Sequence, residues 1–351
     1  MKNRNLGLKV VGVLVALSLL LTIGQVTLLA EDGFVIGFSN GFVNNTWRTQ
    51  MVEDFRDKAQ EYAEEGIISD FIIQNSGTAI VDQTRDIRNM ISKGVDALLI
   101  NPNSSTALNP VIEEAASAGI TVISFDQAVT SSKAINVVID QGTWFAIQAE
   151  WLAEQLNGEG DIIVMNGVAG NPANVTRWEA AKKVLDKYPG INVLTVENGG
   201  WANQSAKETM SNLLSAYSDI DGVLTQDGMA RGIIGAFQAA DRDLPVMTGS
   251  NTMGFLRQWA SLKEEQGFKS YAVANPPGIS VSALKVAINK LQGKELVEDE
   301  VEDNTIVVPL PLKVTNDNLN EVLQEYRSKP DSFFIDGWLT DEQIDNLFQE
   351  G

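Results

Sequence analysis

From residue 34 onward, short apolar runs alternate with longer amphipathic stretches. The runs are 34–38, 71–74, 97–100, 121–125, 137–139, 162–165, 193–196, 222–225, 246–248, 271–274 and 305–308. Apolar runs this short, bounded by polar, Gly or Pro residues, read as strands buried on both faces. The stretches between most of them repeat apolar residues at helical spacing; Val52, Phe55, Ala59, Tyr62 and Ala63 are one example. This alternation predicts an α/β fold of two doubly wound parallel-sheet domains.

The rhythm breaks once. The run at 135–139 has no long helix before it, and Asp140-Gln141-Gly142 opens a second strand–helix series at Thr143. We read this as a first crossing between two similar domains. A second is expected near Asn275 and a third at 307–312, which makes a three-segment hinge. The boundaries are then residues 1–30 as a leader, 31–139 plus 276–307 as an N-terminal lobe, and 140–275 plus 308–351 as a C-terminal lobe. The last part carries an extra segment: a helix at 316–327, the apolar group Ser332-Phe333-Phe334-Ile335 and Trp338, and a capping box at Thr340-x-x-Gln343. Packing against the second domain is its expected role, with a partner-binding tail as the alternative.

Residues 1–30 combine Lys2, Arg4 and Lys9 with an apolar 10–21 stretch and Leu28-Leu29-Ala30 before Glu31-Asp32. That is the pattern of a secretory signal peptide cut near Ala30; an uncleaved membrane anchor is the alternative. Losing its three basic residues would take the net charge from −20 to −23. So acidic a surface repels nucleic acid and anionic membranes. The chain has no Cys, hence no disulfide and no thiol for a lipid anchor, and a freely diffusing, monomeric periplasmic protein is expected. It has no His either, which removes the commonest general base and metal ligand.

In an open α/β sheet, ligands bind at the carboxyl ends of the strands. There the first strand meets Asn45, Trp47 and Arg48. Other strand ends or following turns carry Asp126 with Gln127, Trp201, Asp227, Asn251 and Asn275, and Arg177 follows another. Indole faces stack on the polarised C–H groups of sugar rings. Carboxylates accept hydroxyl hydrogen bonds strongly, and guanidinium forks suit a ring oxygen and its neighbours. Each residue has a plainer role open to it: a core Trp, a turn or cap Asp, a salt-bridged surface Arg, a turn Asn. No phosphate loop, dinucleotide fingerprint, nucleophile elbow, zinc spacing or calcium loop is present, so no cofactor, metal or catalytic residue is expected. The competing class is an enzyme using Asp126 and Asp227 as acid and base.

Several stretches together resemble the type I periplasmic sugar-binding proteins of ABC importers, the ribose-binding group. They are Asn44-Asn45-Thr46-Trp47-Arg48, Gly94-Val95-Asp96-Ala97-Leu98-Leu99-Ile100-Asn101-Pro102, Ala118-Gly119-Ile120-Thr121-Val122-Ile123-Ser124-Phe125-Asp126, Gly167-Val168-Ala169-Gly170 with Arg177 beyond, and Gly222-Val223-Leu224-Thr225-Gln226-Asp227. The resemblance implies a receptor that binds a monosaccharide or polyol between two hinged domains and delivers it to a membrane permease. A chemoreceptor ligand-binding protein, or a binder of an autoinducer-type furanosyl compound, is the alternative. It also implies that Asn45, Trp47, Asp126, Gln127, Arg177, Trp201, Asp227, Asn251 and Asn275 face the ligand, while Arg48 is singled out by its place beside Trp47 at the strand end. Gln127 stands where the family often has Arg, Asp227 where it has Asn, and Asn251 where it has Asp. The Trp47-Arg48 pair looks closer to the galactofuranose-binding branch than to the ribose branch.

Overall fold

The computed structural model describes residues 33–43, 45–297, 301–349 and 351; the expected leader, 1–30, lies outside the described residues. Among the described residues no helix is long and apolar enough to cross a membrane.

The first domain begins with β1 (Phe34–Asn40), α1 (Thr46–Glu64), β2 (Ile68–Asn75), α2 (Ile80–Ser92), β3 (Ala97–Asn101), α3 (Asn109–Ser117), β4 (Thr121–Phe125) and β5 (Ile135–Val138). The second holds α4 (Gln141–Gln155), β6 (Glu159–Asn166), α5 (Pro172–Leu185), β7 (Gly190–Asn198), α6 (Asn203–Ala216), β8 (Gly222–Thr225), α7 (Ala230–Ala239), β9 (Val246–Thr248), α8 (Met253–Gln266) and β10 (Ser270–Val273). The chain then returns with α9 (Ile279–Leu291), β11 (Glu295–Leu296) and β12 (Thr305–Val307). It ends with β13 (Lys313–Val314), α10 (Leu319–Glu325), α11 (Asp341–Leu347) and β14 (Phe348–Gln349).

The first sheet runs β12-β5-β4-β3-β1-β2 and the second β13-β10-β9-β8-β6-β7. The two orders are copies of each other. In each, the strand order reverses beside the domain's first strand: between β1 and β3, and between β6 and β8. Loops leaving those strands diverge to opposite faces, which opens a crevice at their carboxyl ends. One expectation changes. Not every pairing is parallel: β13 joins β10 antiparallel, with Ala272 opposite Val314.

Large aromatic groups anchor the first core. Phe38 stacks on Phe55 with ring centroids 4.2 Å apart, and Phe125 lies 5.2 Å from Phe38. These contacts seat α1 on the sheet and fix where its first turn points. Helix α9 is buried all round from Ile279 to Ile288, in keeping with its run of small and apolar residues. Ser280 settles its hydroxyl on the Met51 carbonyl of α1 at 2.9 Å.

The end of the chain departs from the sequence reading, which places it on the second domain. Helix α10 contacts α8 there. The last elements lie on the first domain instead: Lys285 of α9 bonds Asp341 at 2.7 Å, and β14 pairs with β11. The capping box is formed, with Thr340 and Gln343 satisfying each other's backbone N–H groups.

Candidate functional site

The carboxyl ends of the two sheets face each other across a cavity of about 40 Å³. Asn45, Trp47, Arg48, Asp126 and Gln127 line it from the first domain. Ala173, Arg177, Trp201, Asp227 and Gly228 line it from the second, and Asn275 and Phe334 close the side between them.

Helix α1 begins at the end of β1, and Asn45 caps it by accepting from the Arg48 N–H at 2.9 Å. That cap turns the first turn of α1 into the cleft. Trp47 both lines the cavity and packs in the core: it is 7% exposed, and its Nε1 donates to the Asn275 carbonyl at 2.8 Å. Arg48 is buried, not a surface residue. Its Nη1 donates to Asn40 Oδ1 at 2.6 Å, its Nη2 to Asn101 Oδ1 at 3.2 Å, and its guanidinium stands 4.1 Å from the Phe42 ring centre. Burial pulls Arg48 down to about 10, opposed by Asp126, so it stays charged at neutral pH.

Asp126 has φ +63°, a left-handed conformation uncommon outside Gly. It is held there by long-range bonds. Its N–H donates to the Val137 carbonyl at 3.0 Å, and Gln141 at the start of α4 donates to its own carbonyl at 2.9 Å. Asn101 donates to its carboxylate at 3.3 Å. Burial pushes the Asp126 carboxyl up, against the pull of Arg48 and Arg177. Gln127 meets the other domain. With its amide oxygen toward Arg48, it accepts from Nη2 at 2.9 Å and donates to Asn171 Oδ1 at 3.0 Å, which satisfies both ends of the amide.

On the second domain Arg177 is sandwiched. Its guanidinium lies 4.0 Å from the Trp144 ring centre and 5.9 Å from that of Trp201, while Nε donates to Gln141 at 2.7 Å. Such stacking suits the weakly hydrated guanidinium. Trp201 sits at φ +54°, and its Nε1 donates to Gln226 Oε1 at 2.9 Å. Gly228, at φ +74°, leaves the space a β-carbon would take 2.9 Å from the Trp201 carbonyl oxygen.

Asp227 is the least satisfied group in the site. It is 5% exposed, and neither carboxylate oxygen has a protein hydrogen bond. The Asn251 backbone N–H favours its charged form from just outside good hydrogen-bond geometry. Burial pushes Asp227 up to about 7, with Arg177 pulling it down and Asp126 adding to the rise. Asn275 Oδ1 is likewise buried and unpaired. Unpaired buried acceptors are costly, so their natural complement is a ligand rich in hydroxyl donors.

Nine of the ten residues singled out from sequence thus line one cavity. Asn251 is the exception: it is fully buried beside the site, and its Nδ2 donates to the Ile335 carbonyl at 2.9 Å. Sequence reasoning placed Asn101 and Gln226 at strand ends and Gln141 at the first crossing but did not single them out as the amides that orient the charged groups. All three stand in polar stretches at strand ends or crossings, so the signal was present. Phe334 offered no such signal, being far from any strand end of the second domain's core.

The chain matches the family described as periplasmic binding protein domain over residues 36–295. It is 26% identical to a xylitol-binding protein of Mycolicibacterium smegmatis over 76% of this chain and 74% of that one. It is 27% identical to a ribose import binding protein of Bacillus subtilis, over 80% of this chain and 87% of that one. Among solved structures, an ABC transporter solute binding protein from Thermobispora bispora superposes with a TM-score of 0.81 at 28% identity, covering 89% of this chain and 94% of that one.

Proposed function

The chain belongs to the periplasmic binding protein family, and from that premise we propose that it is an extracytoplasmic receptor for a monosaccharide or polyol, which it delivers to an ABC permease. The observation that carries this reading is the buried, unpaired Asp227 carboxylate, facing a cavity whose opposite wall holds Asp126. With Asp227 ionised, the two carboxylates balance the two guanidinium groups, Arg48 and Arg177, in charge. A neutral ligand leaves that balance undisturbed, whereas a charged one would bury a net charge. Hydroxyl groups supply donors for Asp227 and Asn275 Oδ1, and the Trp47 and Trp201 rings supply apolar faces for a carbon skeleton. The xylitol- and ribose-binding names of the relatives support the same ligand class.

A ligand touching both domains stabilises the closed form by its differential contacts there. Micromolar affinity for such a ligand corresponds to roughly −8 kcal/mol. Titration calorimetry across pentoses, hexoses, pentitols and inositols is the test. We expect at least one tight binder, recovered chemically unchanged. Silence across the panel would overturn the ligand class. For delivery, cells lacking the protein should lose high-affinity uptake of that labelled ligand; undiminished uptake would overturn the transport role.

A further inference from the structure

Residues 331–339 cross between the domains a fourth time, beyond the three crossings read from the sequence. The second domain holds the start of this strap. The N–H groups of Gly254 and Met253 donate to the carbonyls of Asp331 and Phe333, each at 2.9 Å. Asn251 then brackets Ile335, donating to its carbonyl at 2.9 Å and accepting from its N–H at 3.1 Å.

The first domain grips the residues in between and beyond. Gln50 of α1 uses both ends of its amide on Phe334: Oε1 accepts from the N–H at 2.9 Å, and Nε2 donates to the carbonyl at 3.1 Å. Asp336 accepts from the Gly278 N–H at 2.6 Å. Leu339 is held from both sides by α9, its N–H on Ser282 Oγ at 3.0 Å and its carbonyl on Lys285 Nζ at 2.9 Å. Phe334 and Ile335, neighbours in sequence, are therefore bonded to opposite domains. Phe334 is 1% exposed, and it lines the cavity.

If the domains part, the strap cannot keep both sets of bonds at their present lengths. Each set buries backbone groups that would need a new partner. The strap therefore has a direct energetic stake in the separation of the domains, and it holds one wall of the cavity while doing so.

We propose that the 331–339 strap is a fourth interdomain connection whose docking is linked to cleft closure, and that Phe334 is a ligand-contact residue it delivers. The second half rests on reading the cleft as a sugar or polyol site; the first half does not. Linkage of this kind is reciprocal, so an occupied cleft tightens the strap and a docked strap favours an occupied cleft. The contact is also specific in character. The Phe334 ring has no hydrogen-bonding group, so it rewards an apolar ligand face and leaves any hydroxyl aimed at it unpaired.

Hydrogen exchange on the ligand-free protein tests the first half. In Gln50→Ala the amides of 334–339 should exchange at least tenfold faster, and the increase should spread to Met253 and Gly254 on the other domain. An increase confined to the first-domain end, with Met253 and Gly254 at parental rates, would overturn the linkage. Calorimetry with the sugar and polyol panel tests the second half. Phe334→Ala should weaken every binder by tenfold or more. Phe334→Leu, which keeps apolar volume and fold, should lose affinity too while its Tm stays near the parent's. Parental affinity in Phe334→Leu would overturn the contact. Should the parent bind nothing in the panel, the ligand class and the Phe334 contact fall together, and the exchange result still decides the strap.

Discussion

The indole of Trp201 lies against Gly167 with no room for a β-carbon: a methyl group at 167 would overlap the ring atoms Cε2 and Nε1. The Gly167 N–H is anchored on Asn174 Oδ1 at 2.7 Å, so its backbone is not free to retreat. Gly167→Ala should therefore push the indole out of line with the cavity. Overpacking costs typically about 1–3 kcal/mol. We expect a modest fall in Tm and at least a tenfold loss of ligand affinity, measured by calorimetry. Unchanged affinity would mean that Trp201 takes no part in binding.

Asp227 should make ligand binding depend on pH. Its carboxyl titrates near 7 because burial outweighs the attraction of Arg177. On the proposed reading, ligand hydroxyls donate to the ionised form and favour it. Affinity should rise as pH increases towards 7 and level off above it, falling by up to roughly tenfold per unit below. Asp227→Asn should flatten most of that slope in titrations from pH 5.5 to 8.5. A parental slope in the variant would place the titrating group elsewhere.

Asp126 and Arg177 stand on opposite domains, and each affects the charged form of the other. Removing either leaves a buried charge short of a partner. Asp126→Ala and Arg177→Ala should each cost on the order of 2–4 kcal/mol of binding. Ligand-induced compaction in small-angle scattering should disappear in both. Were Arg177→Ala to bind and close like the parent, its stacking on Trp144 would be structural only.

A second acid pair shapes stability. Asp54 on α1 faces Asp336 of the strap, and burial together with the Asp336, Asp57 and Glu53 charges pushes Asp54 up to about 9. Its Oδ2 has no donor to accept from, which suits a carboxyl that carries its own proton. The folded protein keeps this proton at pH values where the unfolded chain, titrating near 3.8, has lost it. The pair's contribution is thus complete below about pH 4 and declines as pH rises towards 9. Asp54→Asn should flatten that decline, gaining Tm on the parent at pH 8 relative to pH 5. Thermal scans showing parallel profiles would refute the assignment.

The sequence by itself determined the two strand–helix series, because burial on both faces leaves a local and unmistakable period. It also determined which residues stand at the strand ends, where parallel topology collects ligand groups whatever the details. Asn45, Trp47, Arg48, Asp126, Gln127, Arg177, Trp201, Asp227 and Asn275 could be singled out that way, and they meet in one cavity. Only the tertiary structure decided between cavity wall and core for Trp47, and placed it in both. It alone moved Asn251 behind the wall and brought Phe334 through it. Those outcomes rest on contacts between residues far apart in the chain: Gln50 and Phe334 are 284 positions apart, Asn251 and Ile335 are 84. Periodicity reports only what a residue's near neighbours do. A hydrogen bond across such a distance leaves no local trace, because its geometry exists only after both domains have folded around it.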